Sequence, residues 1–161
     1  MRDEVDELAE AWARERPDLD LAPVAVFSRL SRLSRHLDLA RRSAFEAAGI
    51  ESWEFDVLAA LRRAGTPYEL SPGRLLRETL VTSGTMTNRV DRLAARGFVE
   101  RYPDPEDRRG VIVRLTPEGK DTVDEAFGSL LHAEAAFLSE LSAQQQDDLA
   151  DLLRALLVRF S

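Results

Sequence analysis

A mainly α-helical fold with one short β-hairpin is predicted by three observations. Apolar residues recur every three to four positions over most of the chain, which is the period of an amphipathic helix. Only residues 98–102 and 111–115 are rich in strand-forming side chains, and a loop rich in Pro and Asp separates these two runs. Glycine, proline and capping residues divide the helical part into separate segments.

Two helices are predicted before residue 50. The first covers residues 3–15 and ends before Pro17, and a linker over residues 18–23 leads into a longer helix that ends near Gly49. The apolar stripe of the first helix consists of Val5, Leu8, Ala9 and Trp12. The stripe of the second consists of Val24, Phe27, Leu30, Leu33, Leu37 and Ala44.

A third helix is expected over residues 53–64, with Ser52 as its cap and Gly65 as its terminator. Its core face consists of Phe55, Leu58 and Leu61. Asp56 and Arg63 are separated by about two helical turns, so they share another face of this helix.

A helix-turn-helix follows. Ser71 and Pro72 supply an N-cap and a first-turn proline for a short helix that ends near residue 78. Residues 79–81 form the predicted turn, and Thr82 is expected to cap a second helix that Gly97 ends.

Two amphipathic helices are predicted after the second strand. Thr116 and Pro117 open the first, and Ser142 with Gln145 fits a capping box for the second. Their apolar residues are Val123, Phe127, Leu130, Leu131 and Phe137, then Leu149, Leu152, Leu153, Leu156, Leu157 and Phe160. Because a small domain cannot bury all these faces alone, we expect the helices from both chain ends to pack together and against a second copy.

The second helix of the helix-turn-helix carries short polar side chains in its first two turns. They are Ser83, Gly84, Thr85, Thr87, Asn88 and Arg89. Small hydroxyl groups let a helix sit deep in the major groove, and Asn and Arg hydrogen-bond to base edges and phosphates. Val90 and Leu93 are expected to face the core. An ordinary amphipathic helix with a polar outer face is the alternative, but the hairpin that follows favours a winged helix-turn-helix that binds double-stranded DNA.

The loop between the predicted strands is basic at its tip. Asp107 and Arg109 are two positions apart, so the acid can orient the guanidinium group at the tip of the hairpin. Arg108 or Arg109 could then enter a narrow minor groove, where the negative potential is enhanced. The alternative interpretation is a solvated turn, because the loop also contains two prolines and a glycine.

Charge is distributed unevenly along the chain. The net charge is −7, but residues 62–115 contain eleven arginines and seven acids. A DNA-binding protein needs a basic face and not a basic total, so the acidic composition does not exclude DNA. Lys120 is the one lysine among 22 basic residues, a bias that suits bidentate contacts to phosphate and guanine but also follows from a GC-rich genome.

Several classes of protein are disfavoured by the sequence. With no cysteine, the chain forms no disulfide and no thiolate metal site. No apolar run approaches the roughly 20 residues that span a bilayer, and the N-terminus does not resemble a signal peptide, so we expect a cytoplasmic protein without a membrane partner. His36 and His132 suggest no metal site, and no nucleophile has a nearby base. We therefore expect neither an enzyme nor a bound cofactor.

Residues 70–120 resemble the winged helix-turn-helix of the MarR family of bacterial transcription factors. The matching segments are Gly84-Thr85-Met86-Thr87, Asp91-Arg92-Leu93, residues 96–101, residues 104–110 and residues 113–119, with the wing pattern Asp107-Arg108-Arg109 ahead of Leu-Thr-x-x-Gly. The resemblance implies a triangular homodimer on a pseudo-palindromic operator. It implies that Ser83, Thr85, Thr87 and Asn88 face the major groove and Arg109 the minor groove. It also implies a DNA-binding lobe over residues 50–116, with residues 1–48 and 117–161 as dimerisation helices.

A narrower resemblance is to the urate-responsive, PecS-like branch of this family. It is carried by the additional N-terminal helix and by residues 54–58, 61–65 and 87–93. It implies a ligand cleft lined by Trp12, Asp56, Arg63 and Arg89, although Arg62 adjoins Arg63. Trp12 as a plain core residue and Asp56–Arg89 as a structural ion pair are the alternatives.

The chemistry of the predicted cleft suits a planar anion such as urate. Trp offers a stacking face, and Arg offers a fork of donors for an anionic edge. An anionic ligand that competes for Arg89 and repels Asp56 would displace the recognition helix and lower DNA affinity. We therefore predict a homodimeric repressor released from its operator by a small anionic aromatic ligand. The alternatives are a regulator that senses another phenolic or lipophilic ligand and a winged-helix module for protein interaction.

Overall fold

The structure of the protein is a computed structural model that describes residues 2–79, 81–105 and 110–160. Its elements in chain order are α1 (Glu4–Glu15), α2 (Ala22–Ala47), α3 (Ser52–Arg63), β1 (Glu69–Leu70), α4 (Pro72–Thr79), α5 (Ser83–Ala95), β2 (Val99–Pro103), β3 (Val111–Leu115), α6 (Pro117–Leu138), α7 (Ala143–Leu157) and a 3₁₀ turn (Val158–Phe160). The mainly helical winged helix-turn-helix fold is as predicted.

The chain divides into two compact units, one up to Ala40 and the other from Arg41. In the first unit, Asp3 caps α1 by accepting hydrogen bonds from backbone N–H groups of the first turn. Arg29 of α2 donates to Asp3 at 2.8 Å and to Asp6 at 2.7 Å. These bonds, with Arg29 as the main cause, lower the pKa of Asp3 to about 2. Ion pairs therefore join α1 to the first part of α2.

The second unit has a continuous apolar core. Helices α3, α4, α5 and α6 and strand β3 all contribute to it, because each turns one apolar face inward. Its most deeply buried members are Val57, Leu58, Ala60, Leu61, Leu75, Met86, Val90, Leu93, Val113, Val123 and Ala126. The inward orientation of Val90 and Leu93 confirms the prediction from the sequence.

The N-terminus of α3 is capped by Glu51, so the prediction of Ser52 as the cap is wrong. Glu51 has the extended backbone of an N-cap, and its N–H donates to Glu54 Oε2 at 2.8 Å. Ser52 is already the first helical residue, which leaves its hydroxyl group one position too late for capping. The Glu54 N–H in turn donates to the Glu51 carbonyl oxygen at 3.0 Å, so these two residues define where the helix begins.

Glu54 also ties the start of α3 to the end of α5. Its side chain is only 1% exposed. Arg96, which follows α5, donates to Glu54 Oε2 at 2.5 Å and to the Gly49 carbonyl oxygen at 2.7 Å. One guanidinium group thus holds the C-terminal end of α5 against the turn between α2 and α3.

The three strands form one antiparallel sheet in the order β1-β3-β2. Val99 pairs with Leu115 and Pro103 with Val111, which is the predicted hairpin. Strand β1 adds Leu70 opposite Val113 and was not predicted, because two residues are too few to show an alternating pattern.

Helix α6 begins against the backbone that enters β2. Thr116 caps the helix by accepting from the Gly119 N–H at 3.0 Å, as predicted. A Cβ atom on Gly119 would lie 2.0 Å from the carbonyl oxygen of Phe98. The close approach of helix and strand therefore requires glycine at this position.

The terminal helices leave many large apolar side chains in contact with solvent. The predicted capping box of Ser142 and Gln145 opens α7. No residue of α7 is buried. Exposed apolar side chains of α6, α7 and the 3₁₀ turn are Phe127, Leu131, Phe137, Leu152, Leu156, Leu157, Val158 and Phe160. In the first unit they are Trp12, Leu19, Val26, Phe27, Leu30, Leu33 and Leu39.

Across the ranges that the structure describes, we find no helix with both the length and the apolar character needed to cross a membrane.

Candidate functional site

The first two turns of α5 expose the polar side chains that the sequence singled out. Thr82 has the extended backbone of an N-cap, but its hydroxyl group bonds to that of Thr85 at 2.9 Å and not to the backbone. Met86 lies inward, beside Val90. The outward set is Ser83, Thr85, Thr87 and Asn88. The helix therefore presents small hydroxyl and amide groups on a rigid, core-anchored support.

Arg89 lies between this exposed surface and helix α3. Its guanidinium carbon is 5.6 Å from the centroid of the Trp53 ring. Partial desolvation raises the pKa of Asp56 above its ordinary value, and the charges of Arg89, Arg41 and Arg63 act in the opposite direction. Asp56, Arg63 and Arg89 are thus close enough to interact electrostatically. Within the described residues, however, Asp56 and Arg89 do not approach to salt-bridge distance.

The base of the wing is closed by a hydrogen bond from the Asp104 N–H to the Gly110 carbonyl oxygen at 3.0 Å. Residues 106–109 lie outside the described part of the chain. The predictions for Arg108 and Arg109, and for Asp107 as their partner, fall on these residues.

A polar cluster joins all three strands below the wing. Arg114 of β3 donates to Glu69 of β1 at 2.7 Å and to the Tyr102 hydroxyl oxygen of β2 at 3.0 Å, and Tyr102 also donates to Glu69. The Tyr102 hydroxyl and the Arg114 guanidinium lower the pKa of Glu69. The sequence did not reveal this cluster, because its members are up to 45 positions apart.

A cavity of about 480 Å³ opens between α3 and α6. Its walls combine aromatic rings with charged groups. The lining residues are Arg41, Phe55, Ala59, Arg62, Arg63, Val123, Asp124, Phe127, Leu130 and Glu134. Arg63 is the one member of the predicted ligand set among these lining residues. The positive charge of the cavity is partly balanced, because Arg41 lies 3.4 Å from Glu134 across its wall.

One side of this cavity is formed by an ion cluster. Arg62 Nε donates to Asp124 at 2.8 Å, and Lys120 Nζ donates to the same carboxylate at 2.9 Å. Hydrogen bonds from Arg62 and then Lys120 hold the pKa of Asp124 below its ordinary value. Arg63 also lines the cavity, and its guanidinium group lies 3.5 Å from Glu78. Both neighbouring arginines therefore contribute to this surface.

Trp12 belongs to the first unit, whereas the other three residues of the predicted ligand set belong to the second. Its side chain is 50% exposed, although Val5 on the same stripe is buried.

Among the residues that the structure describes, no group of three His, Asp or Glu side chains is arranged to hold a metal ion.

The comparisons with known proteins agree with this geometry. A family model described as MarR family matches residues 48–110. The chain is 37% identical over 150 residues to the HTH-type transcriptional regulator PecS of Dickeya dadantii, covering 93% of this chain and 90% of PecS. The chain belongs to the MarR family. Like the MarR-family relatives that it matches, it is a DNA-binding transcriptional regulator and not an enzyme.

Solved MarR-family structures share the fold. A cysteine-to-serine mutant of Escherichia coli MarR in complex with operator DNA superposes with a TM-score of 0.70 at 27% identity, covering 86% of this chain and 99% of that one. Bordetella bronchiseptica BpsR, whose DNA binding is regulated by 6-hydroxynicotinic acid, superposes with a TM-score of 0.61 at 26% identity, covering 80% and 98%. The solved structures that share this fold thus include one in complex with operator DNA and one whose DNA binding is regulated by 6-hydroxynicotinic acid.

Proposed function

We propose that the protein is a homodimeric repressor that binds a pseudo-palindromic operator and is released by a small anionic aromatic ligand such as urate. The observation that carries the DNA part is the exposed polar surface of α5 above buried Met86 and Val90. A rigid helix with short polar side chains fits the major groove.

In the proposed DNA interface, Ser83, Thr85, Thr87 and Asn88 contact base edges and phosphates, and Arg89 reaches a phosphate or a base. Arg108 and Arg109 of the wing enter the adjacent minor groove, as the resemblance to the family implies. The complex of E. coli MarR with operator DNA supports the use of this fold on duplex DNA.

Exposed apolar side chains on the terminal helices support the homodimer. An apolar surface of this extent on one chain is typical of a protein interface. We therefore assign residues 50–116 to the DNA-binding lobe and residues 1–48 and 117–161 to dimerisation. Two recognition helices related by a two-fold axis would read two half-sites about 34 Å apart.

The ligand part rests on the concentration of arginines around α3. Arg62 and Arg63 line the α3–α6 cavity, and Arg89 acts electrostatically on Asp56. Urate is an anion at neutral pH, so it would be attracted by these guanidinium groups and repelled by Asp56. We assign Trp12, Asp56, Arg63 and Arg89 to ligand response. The control of BpsR by 6-hydroxynicotinic acid supports an aromatic acid as the ligand class.

The decisive experiment is fluorescence anisotropy with duplex DNA, titrated with urate at fixed salt. The duplexes are taken from the region upstream of the gene and from a random-sequence pool selected by the protein. Saturable binding that urate reverses supports the whole proposal. Binding that urate leaves unchanged keeps the DNA role and transfers the ligand assignment to another phenolic or lipophilic compound. Absence of saturable duplex binding favours a protein-interaction module.

Salt dependence and one wing variant separate these cases further. A protein that neutralises phosphates with arginine loses affinity steeply as salt rises. Arg109→Ala is expected to weaken DNA binding and to leave the dimer intact. Unchanged affinity in this variant would contradict the wing assignment.

A further inference from the structure

The ring of Trp53 on α3 lies against the guanidinium groups of two arginines of the recognition helix α5. The guanidinium carbon of Arg92 lies 4.5 Å from the ring centroid, and that of Arg89 lies 5.6 Å from it. Both distances are within the roughly 6 Å over which a cation is attracted by an aromatic ring. Arg89 and Arg92 are three positions apart, so they project from the same face of α5.

Glu51 fixes the orientation of both the ring and one of the cations. The indole Nε1–H of Trp53 donates to Glu51 Oε2 at 2.6 Å. Arg92 donates to the other oxygen, Glu51 Oε1, at 3.3 Å. A single carboxylate at the start of α3 therefore holds the indole plane and the guanidinium group that stacks on it.

Arg89 has a second interaction on the same helix. Asp56 lies three positions after Trp53 on the same helix. Desolvation raises the pKa of Asp56, and the positive charge of Arg89 reduces that rise. Helix α3 thus offers Arg89 two neighbours, an aromatic face and a carboxylate. The ring holds the guanidinium group by its face and leaves its N–H donors free, whereas a salt bridge to Asp56 would occupy them.

We propose that Trp53 is a positioning residue for DNA recognition. Its ring orders the side chains of Arg89 and Arg92 on α5 and keeps Arg89 available to DNA and away from Asp56. This inference rests on the proposed function, because it requires that α5 contacts DNA with Arg89. An ordered side chain loses less conformational entropy when it binds, so the benefit appears as affinity for DNA.

The test compares Trp53→Leu with Trp53→Phe. Leucine removes the π face and the Nε1–H donor, whereas phenylalanine keeps an aromatic face. The dissociation constant is measured by anisotropy on one duplex, selected from a random pool by the wild-type protein, at fixed salt. We expect Trp53→Leu to weaken binding by about tenfold and Trp53→Phe to weaken it by less than about threefold.

A double-mutant cycle separates positioning from a general loss of stability. Trp53→Leu is also introduced into the Arg89→Ala/Arg92→Ala background, where no guanidinium group remains for the ring to hold. We expect no further loss of affinity there. Thermal unfolding of every variant checks that each is folded at the temperature of the titration.

The outcomes distinguish this inference from the proposed function. If Trp53→Leu binds DNA like the wild type while Arg89→Ala/Arg92→Ala binds weakly, the positioning role is wrong and the DNA role of α5 stands. An equal loss from Trp53→Leu in both backgrounds also overturns the positioning role, because the ring would then act without the arginines. If the wild type selects no duplex from the pool, the proposed function itself fails.

Discussion

Glu54 is the one buried charged side chain in the described ranges, and Arg96 is its cationic partner. Arg96 and the Glu51 N–H both donate to its Oε2, whereas Oε1 is buried without a hydrogen-bond partner among the described residues. A buried acceptor that loses such a donor costs about 1–3 kcal/mol.

The outward residues of α5 were predictable from helical spacing alone. The Glu54–Arg96 pair was not, because its members are 42 positions apart and only the folded chain brings them together.

Arg96→Met is expected to lower the free energy of unfolding by about 1–3 kcal/mol, since the methionine keeps the apolar stem but not the donor. Arg92→Met is the matched control, because its partner Glu51 is exposed and such pairs contribute only about 0–1 kcal/mol. Urea denaturation of both variants measures the difference. Equal losses would contradict the expectation that the buried pair contributes more than the exposed one.

At the scale of elements, the helices were predictable because each has a clear apolar stripe and a stop signal. The hairpin was predictable from its two β-rich runs and the loop between them. What the sequence did not reveal are short or distant pairings, such as strand β1 and the cluster of Glu69, Tyr102 and Arg114. These depend on tertiary contacts and leave no periodic signal.

Gly119→Ala is expected to destabilise the junction of α6 with β2 by about 1–3 kcal/mol, because the new methyl group would overlap the Phe98 carbonyl group. Gly128→Ala in the same helix is the control. A Cβ atom there meets nothing within 4 Å, and alanine is the better helix former by about 1 kcal/mol. Thermal unfolding should therefore shift in opposite directions for the two variants. A shift in the same direction would contradict the close contact.

The link between α1 and α2 is expected to be sensitive to acid. The pKa of Asp3 is lowered to about 2 by Arg29, against 3.8 for a free side chain. A lowered carboxyl pKa means that the ion pair stabilises the link above about pH 4 and that this contribution is lost as the pH falls towards 2. An NMR titration of the Asp3 carboxyl carbon should give a midpoint near 2, and Arg29→Gln should move it towards 3.8. An unchanged midpoint in Arg29→Gln would remove Arg29 as the cause.

At the scale of the whole molecule, charge and apolar surface are separated along the chain. Residues 62–115 carry the arginine excess, whereas exposed apolar side chains are concentrated in the terminal helices. This separation suits a protein that binds DNA with one region and its own copy with another.

The sequence predicted the separation from composition and periodicity. It could not predict the α3–α6 cavity, because its walls come from side chains up to 93 positions apart, Arg41 and Glu134.

If the protein is the proposed homodimer, Leu152→Asp/Leu156→Asp is expected to convert it into monomers, because both side chains are exposed in the single chain and would place charges in the proposed interface. The helical content should be unchanged, since neither side chain supports the core of one chain. Gln144→Asp on the same helix is the control. Analytical ultracentrifugation gives the mass, and circular dichroism gives the helical content. A variant that stays dimeric would exclude this face of α7 from the interface.

The guanidinium group of Arg96 fixes one end of α5 more firmly than the other. Bonds to Glu54 and Gly49 hold the C-terminal end of the helix, while Ser83 at the opposite end lies about 18 Å away along the axis. If Met86 and Val90 repacked in the core, a tilt of about 10° around the held end would move the leading turn by about 3 Å, which exceeds the tolerance of a hydrogen bond to a base. A small effect near the middle of α5, where Arg89 lies, would thus be magnified at the tip that reads the groove.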